Sequence, residues 1–409
     1  MKPALFYGWK VIMTLFVMLM FSSGFGFYNH SVIIQALVRD GGFDIELASM
    51  AVSVFFLTSG LSGLAIAPLL ERYDVRYVVA VGVLLTSVSL SLLGSVSSMA
   101  ELLVLYIFFG AGFGAAGLLP ATTLVARWFE LERAKALSIA STGLSVGGVL
   151  LTPMSATLIE TYTLQTAGLW LGILNFVFVM PLVLYYLRSS PKDLGLLPDG
   201  QKHSSSAGSL GMHYRDALRQ YFFWGLAISY VLTMLAQVGG IAHQYGVLSE
   251  RLSSEYAAWG IAIMPAFSVA GRLAGGMILD RISTLRFTLV MMLIQGSSLV
   301  AIGLSDQVMW MYLSLAVFGV SVGNLLMLQP LIIAEVYGLK YYARLYSWSN
   351  LITMTGVSGG PFLLGWLSGY SGGYQIPYIV AGGLGLLSAA LFAFLKTPAV
   401  TDAQTTNSV

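Results

Sequence analysis

The sequence predicts an all-α membrane protein with twelve transmembrane helices, arranged as two pseudo-symmetric bundles of six. Three observations lead to this: the composition, the number of long apolar segments and the distribution of basic residues. Of 409 residues, 57% are hydrophobic and 9% are charged, whereas soluble domains carry about 25% charged residues. Because so few charges cannot cover a surface in water, most of the surface is expected to contact lipid.

Twelve segments are long and apolar enough to span a membrane, which takes about 20 residues. The first is expected to be a span rather than a cleavable signal, because its apolar run is too long and no small-residue cleavage site follows. The segments are 9–38, 46–70, 77–98, 101–128, 135–161, 165–187, 221–248, 255–279, 285–304, 308–336, 342–367 and 374–395.

One long polar stretch separates the sixth span from the seventh. It is rich in serine, proline and charged residues, a composition typical of linkers. The predicted organisation is therefore an N-terminal six-helix bundle over 1–187, a cytoplasmic linker over 188–220 and a C-terminal six-helix bundle over 221–409.

The basic residues fix the expected orientation. With the N-terminus inside, Arg39 and Arg251 fall in outside loops and Arg272 falls within a span, which leaves 17 of the 20 Lys and Arg residues on the cytoplasmic side. Cytoplasmic loops of membrane proteins carry such an excess. We therefore expect a multi-pass protein of the plasma membrane with both termini in the cytoplasm.

Composition also excludes several functions. A net charge of +2 offers no basic stripe for a nucleic acid, and the absence of cysteine excludes disulfides, cysteine-ligated zinc and thiol catalysis. No nucleophile–base pair, metal cluster or phosphate-binding loop is apparent. We expect no enzymatic activity, no metal and no cofactor other than protons, and we expect a monomer.

An internal repeat relates the two halves. Glu71-Arg72 follows the second span and Asp280-Arg281 follows the eighth, the second span of the other half. Parallel repeats of six spans, with substrate held between them, form a transporter architecture. These four charges are predicted to form a cytoplasmic gate that holds the inner side shut; the alternative is that they are solvated positive-inside anchors.

The loop pattern resembles that of the major facilitator superfamily, Gly-x-x-x-Asp-Arg followed by another basic residue. The second copy, from Gly276 to Arg281, matches it. The first copy departs from it, because Ala67 replaces the usual glycine and Glu71 replaces the aspartate.

Arg272 is the basic residue that no loop explains. Ionisable groups at membrane depth are costly and are functional candidates by default, and no Asp or Glu lies three or four residues away on the same helix. A substrate carboxylate is expected to supply the partner through a bidentate fork. The alternative is that the guanidinium reaches the cytoplasm or bonds to backbone carbonyls.

The other candidates are polar groups in the first, seventh, tenth and eleventh spans. His30 and His243 occupy related depths in the two halves, and with Arg272 they are the candidates for proton coupling, since histidine titrates near neutral pH. The alternative for either histidine is a packed, hydrogen-bonded side chain. The predicted substrate-binding set is Arg272, His30, Tyr28, Asn29, His243, Asn324, Tyr346 and Asn350. Its tyrosines and asparagines can equally serve as helix–helix hydrogen bonds.

A narrower resemblance is carried by four parts of the sequence. They are Phe6-Tyr7-Gly8-Trp9, Arg127-Trp128-Phe129, the segment from His243 through Ala270-Gly271-Arg272-Leu273-Ala274-Gly275-Gly276 to Asp280-Arg281, and Tyr337-Gly338-Leu339-Lys340. These motifs are similar to those of bacterial monocarboxylate (lactate/pyruvate) carriers, near the oxalate/formate carriers. The resemblance implies location in a bacterial inner membrane and implies that Arg272 binds the substrate carboxylate.

Two departures limit what the resemblance implies. Ser268 stands where animal monocarboxylate carriers have an aspartate, and His30 stands where they have a lysine, so their proton route does not transfer. Oxalate exchangers carry a second cation in the eleventh span, whereas this eleventh span reads Tyr346-Ser347-Trp348-Ser349-Asn350. One arginine matches one carboxylate, which favours a monocarboxylate.

The sequence therefore predicts a secondary transporter that moves a small lactate- or pyruvate-like monocarboxylate by alternating access, coupled to proton symport. The alternatives are a carboxylate anion exchanger of the oxalate/formate type and an exporter of hydrophobic drugs. Its expected partners are the substrate, protons and membrane lipid.

Overall fold

A computed structural model of the protein describes residues 6–129, 132–198, 212–279, 281–338 and 341–397. The described residues form twelve long helices, some interrupted. They are α1 (Gly8–Arg39), α2 (Ile45–Arg72), α3 (Val75–Leu92), α4 (Met99–Trp128), α5 (Arg133–Thr161), α6 (Leu164–Tyr186), α7 (Tyr221–Ala242 and Gln244–Arg251), α8 (Ser254–Leu279), α9 (Thr284–Leu304), α10 (Val308–Tyr337), α11 (Tyr342–Ser371) and α12 (Gln375–Ala393).

The helices confirm the predicted all-α membrane fold, and the chain is a multi-pass membrane protein. Within the described residues, eleven helices are long and apolar enough to cross a membrane. Although α11 is 30 residues long, it is the helix left out of that set. Its sequence is rich in serine, threonine and glycine, which lowers its hydropathy. Since α11 packs against α2 of the other half and against α7, much of it faces protein rather than lipid.

The two halves repeat the same packing. In the first half α1 packs on α5, α2 on α4, and α3 on α4 and α6; in the second half α7 packs on α11, α8 on α10, and α9 on α10 and α12. Each helix pair in the first half has its counterpart six helices later in the chain, so that α1 with α5 corresponds to α7 with α11. The sequence repeat is therefore a repeat of the tertiary structure.

Two helices are broken at related places. α1 contains a π-helical turn over Ser23–Phe27, and α7 is interrupted at His243, where its two segments meet. π-helical turns are rare and concentrate at functional sites. The turn in α1 contains Gly24, where an added Cβ would lie 2.8 Å from the Gly147 carbonyl oxygen of α5. Glycine at this position lets α1 and α5 approach closely at the level of the break.

The halves meet along α2 with α11, α5 with α8, and the second segment of α1 with that of α7. We call the end of the bundle where α1 begins and α12 ends the chain-end face, and the other end the opposite face. Four polar contacts near the opposite face cross between the halves. They are Gln35 to Tyr374 (2.5 Å), Ser49 to His243 (3.4 Å), the Phe362 amide to Ser53 (3.0 Å) and Tyr245 to Glu160.

These contacts close the opposite face. Further toward the chain-end face, Gly60 lies beside Met354, and the Arg272 guanidinium lies beside the Ser141 carbonyl. The conformation is thus shut on one side of Arg272.

Candidate functional site

The site is built around Arg272 on α8, where α8 lies unusually close to α10. Glycines alternate across the contact: Gly319 and Gly323 of α10 pack on the backbone of α8, and Gly271 and Gly275 of α8 pack on α10. Small residues at four-residue spacing allow helix backbones to approach in this way. As a result, the Arg272 Nε lies 3.2 Å from the Gly323 carbonyl oxygen, to which it donates a hydrogen bond.

Arg272 also reaches across to the first half. Its Nη1 lies 3.5 Å from the carbonyl oxygen of Ser141 on α5, a long hydrogen bond. The side chain is half-buried, and an added Cβ at Gly276, one turn on, would meet open space. The guanidinium therefore lies between the halves with part of its surface accessible.

Tyr28 of α1 forms the wall that faces Arg272. It is buried, and its phenol lies close to Ser145 of α5 and in the neighbourhood of the Arg272 guanidinium. Its ring packs on Gly148, where an added Cβ would lie 2.6 Å from the ring. Because the π-helical turn ends at Phe27, the break in α1 sets where the Tyr28 side chain points.

No described carboxylate neutralises Arg272. Within the described residues, the ion pairs closer than 4 Å join Arg39, Arg76, Lys135 and Arg251 to acidic side chains, and Arg272 is not among them. Its described partners are two backbone carbonyl oxygens. A guanidinium has five N–H donors in a planar fork, so several remain for an anion. The described part of the chain contains no cluster of three or more metal-binding side chains.

Asn324 lies beside Arg272 but binds the protein itself. Its Nδ2 donates to the carbonyl oxygens of Gly271 on α8 and of Val320 on its own helix, each at 2.9 Å. With both amide hydrogens used, Asn324 contributes to the α8–α10 contact in this conformation. This is the helix–helix bonding that the sequence left open for it.

His30 is not brought to Arg272. Its ring is fully buried inside the first half, with centroids of the Phe55, Phe56, Tyr106 and Phe109 rings 4.4–5.7 Å away. Neither ring nitrogen has a hydrogen-bond partner among the described residues. The internal repeat of the sequence predicts the depth of His30 within α1. It does not predict on which face of α1 the side chain lies.

His243 lies at the boundary of the halves near the opposite face. Its Nε2 is 2.9 Å from the Pro361 carbonyl oxygen of α11 and 3.4 Å from the Ser49 Oγ of α2. Its other nitrogen is buried without a described partner. His243 is thus placed where separation of the halves would expose it, away from the guanidinium.

The remaining predicted residues are spread over the bundle. Asn29 is fully buried, and neither of its amide atoms has a partner among the described residues. Tyr346 and Asn350 of α11 are half-buried, and Tyr346 lies near the buried Tyr230 of α7. Of the predicted set, the structure brings Arg272, Tyr28 and Asn324 together.

The predicted gate lies partly outside the described residues. Asp280 is outside them, and so is the side chain of Glu71, while Arg72 and Arg281 are both exposed at the chain-end face. The pairing of these charges stays a prediction.

Two of the motifs that carry the narrower resemblance, at the start of α1 and at the end of α4, form an aromatic cluster at the chain-end face. Phe6 and Trp9 pack on Phe129 with centroids 5.6 and 5.1 Å apart, and Tyr7 packs on Trp128 at 5.6 Å. The cluster joins the start of α1 to the end of α4. Its role in the structure is to fix the ends of these helices, at a distance from Arg272.

Sequence reasoning missed the contribution of α5. Ser141 and Ser145 face Arg272 and Tyr28, and with Ser138 and Gly148 they follow a three-four-three spacing. Residues at this spacing share one face of a helix. These small, mostly polar residues lie on one face of the fifth span. Their spacing in the sequence could have indicated that this face is turned toward the other half.

Fold and site together define a multi-pass membrane protein with a cation between its two halves. The chain belongs to the Major Facilitator Superfamily, whose sequence profile matches residues 16–352 and 240–408. This confirms the broader resemblance, while the narrower one to monocarboxylate carriers stays a prediction.

Relatives with different substrates are similar to this chain. The glycerol-3-phosphate transporter of Bacillus subtilis is 22% identical over 261 residues, 60% of this chain and 59% of the relative. The chain thus aligns with less than two thirds of that protein. The monocarboxylate transporter 12-B of Danio rerio is 24% identical over 351 residues, 79% of this chain and 73% of the relative.

Among solved structures, a bacterial homologue of the human lysosomal transporter Spinster, in an inward-facing and occupied conformation, superposes with a TM-score of 0.77. The identity is 16%, and the match covers 96% of this chain and 97% of the other. This similarity shows the shared fold.

Proposed function

We propose that the protein is a secondary transporter that carries a small monocarboxylate, of the lactate or pyruvate kind, across the membrane. The observation that carries the proposal is the guanidinium of Arg272, which lies between the halves with no carboxylate partner among the described residues. Carboxylates bind to arginine through two parallel hydrogen bonds. The substrate completes the ion pair that the protein leaves open.

The charge of the site supports a monoanion. Arg272 supplies one fixed positive charge, His30 is enclosed by aromatic rings, and His243 lies at the opposite face. Among the described residues, the positive charge around a bound anion therefore amounts to one unit. Tyr28 is placed to donate a hydrogen bond to the oxygen atoms that the guanidinium does not use.

A phosphate monoester is the second candidate, because glycerol-3-phosphate and hexose phosphate transporters are among the relatives. Such a substrate carries about −1.5 to −2 charges at neutral pH. A single guanidinium balances only part of that charge, which favours the carboxylate. An anion exchanger that trades one carboxylate for another uses the same site and differs only in its coupling.

The closed opposite face supports transport by alternating access. We place the chain-end face in the cytoplasm of a bacterial inner membrane, with both termini inside, because it carries most of the Lys and Arg residues. The contacts at the opposite face hold the halves together on the outer side of Arg272 in this conformation, and they break when the halves rock. The protein works as a monomer with protons as the coupling ion, and the proton travels on His243 or with the substrate.

Uptake into proteoliposomes tests the proposal. An inwardly directed proton gradient is expected to drive accumulation of labelled lactate, whereas glycerol-3-phosphate is expected to be taken up little. Accumulation of labelled lactate that is independent of the pH gradient but depends on internal lactate would identify an exchanger. Accumulation of glycerol-3-phosphate without lactate would contradict the proposal.

A further inference from the structure

Asn324 is the polar group that joins α10 to α8 beside Arg272. Two carbonyl oxygens, those of Gly271 and Val320, both face the nitrogen of its amide at 2.9 Å. Oxygen accepts and cannot donate, so the amide nitrogen must be the atom between them. The orientation of the Asn324 side chain is thereby determined by its partners.

The amide oxygen of Asn324 is also closely packed, against Gly275 of α8. A Cβ added to Gly275 of α8 would collide with the Asn324 Oδ1. Glycine at 275 leaves room for the amide in this orientation, and the amide reaches the carbonyl of Gly271. Asn324 and Gly275 therefore form a clamp between the two helices.

The clamp encloses the residue that the site depends on. Arg272 follows Gly271 directly, and its Nε donates to the carbonyl of Gly323, the residue before Asn324. Each helix thus donates one hydrogen bond to the other: Arg272 of α8 donates to α10, and Asn324 of α10 donates to α8. A rotation or slide of α8 against α10 would break both, and it would move the guanidinium relative to Tyr28 and Ser141.

We propose that Asn324 is a positioning residue, which together with Gly275 fixes the guanidinium of Arg272 in the site. This deepens the proposed function and rests on it only for the substrate. Asn324 acts on the anion through Arg272, since both of its amide hydrogens are bound to the backbone.

A test that does not need the substrate uses the electrostatic field of Arg272. The natural chain has no cysteine, so a Ser141→Cys variant carries a single thiol, on the residue whose carbonyl oxygen contacts the guanidinium. Ser141 is half-buried with an exposed side-chain oxygen. The rate of reaction of this thiol is measured with a negatively charged and with a positively charged methanethiosulfonate. The rate with the negative reagent divided by the rate with the positive reagent reports the local positive potential.

Arg272→Gln in this background is expected to lower the ratio about tenfold, the effect of removing a nearby unit charge in water-like surroundings. Gly275→Ala and Asn324→Ala are each expected to lower it severalfold, although Arg272 is still present. Gly276→Ala is the matched control, because its added methyl group meets open space, and its ratio is expected to stay unchanged.

The outcomes separate the clamp from the substrate assignment. Elution as a single folded species is checked for every variant, and Asn324→Ala serves alone if Gly275→Ala does not fold. Ratios for Gly275→Ala and Asn324→Ala that equal the Gly276→Ala value would overturn the clamp, whatever the protein transports. Failure of wild-type protein to take up lactate would instead overturn the proposed function and leave the labelling result standing.

Discussion

At the scale of residues, the account depends on two neighbouring side chains that come from different halves. Arg272 comes from α8 and is held by α10, while Tyr28 comes from α1 and is held by α5. Each is supported by glycines that let its helix approach a neighbour closely. An anion between the two would contact both halves at once, and such a contact allows substrate binding to influence their relative position.

Tyr28→Phe tests the tyrosine. The change keeps the ring on Gly148 and removes the hydroxyl, so the KM for lactate is expected to rise about 2- to 10-fold, which corresponds to one hydrogen bond of about 0.5–1.5 kcal/mol. Tyr106→Phe is the matched control, since the Tyr106 hydroxyl is buried in the same half without a hydrogen-bond partner among the described residues. Equal KM values for the two variants would remove Tyr28 from the site.

At the scale of elements, the position of the site is set by close helix pairs. α1 and α5 approach at Gly24 and Gly147, where an added Cβ on Gly147 would collide with the carbonyl oxygen of Met20. The pair α8 and α10 approaches in the same manner in the other half. Both contacts lie at the level of Tyr28 and Arg272, so the glycines determine how far the two side chains are from each other.

Gly147→Ala is expected to destabilise the protein by about 1–3 kcal/mol, because the methyl group overpacks a backbone contact. The midpoint of thermal unfolding in detergent should fall by several degrees. Gly383→Ala on α12 is the control: it also replaces a glycine within a helix, but its methyl group meets open space. A midpoint for Gly147→Ala at or above the Gly383→Ala value would show that α1 and α5 are not in this contact.

Much of the helix arrangement, and the central residue of the site, were predictable from the sequence. The twelve helices follow from apolar length, and the pairing of the halves follows from the repeated Glu71-Arg72 and Asp280-Arg281 loops. Arg272 was identifiable because charge within an apolar span is costly. The break in α1 was not predicted, since hydropathy does not distinguish a π-helical turn from an α-helix. The outward or inward direction of His30 was not predicted for the same reason.

At the scale of the whole molecule, the structure holds the two halves together on one side of the site. The contacts of His243, Tyr245 and Tyr374 with the first half close the opposite face. Alternating access requires these contacts to break and the chain-end face to close in turn. A cross-link that prevents separation near the middle of the bundle should therefore stop transport without affecting the site.

Gly60→Cys with Met354→Cys provides such a cross-link between α2 and α11. The added Cβ of residue 60 would lie 3.8 Å from the Met354 Cβ, the usual spacing in a disulfide. Oxidation is expected to abolish lactate uptake and reduction to restore it, with each single cysteine variant unaffected by oxidant. Full uptake by the oxidised, cross-linked protein would contradict rocking of the halves about this level.

The most direct test of the central claim is lactate uptake by proteoliposomes that contain Arg272→Ala or Arg272→Lys protein in matched amounts. Arg219→Lys, an exposed arginine of the linker, is the control. We predict that uptake is lost in both Arg272 variants, because lysine keeps the charge but not the planar fork, and that the control transports normally. Undiminished lactate uptake by folded Arg272→Ala protein would contradict the claim that this guanidinium binds the substrate.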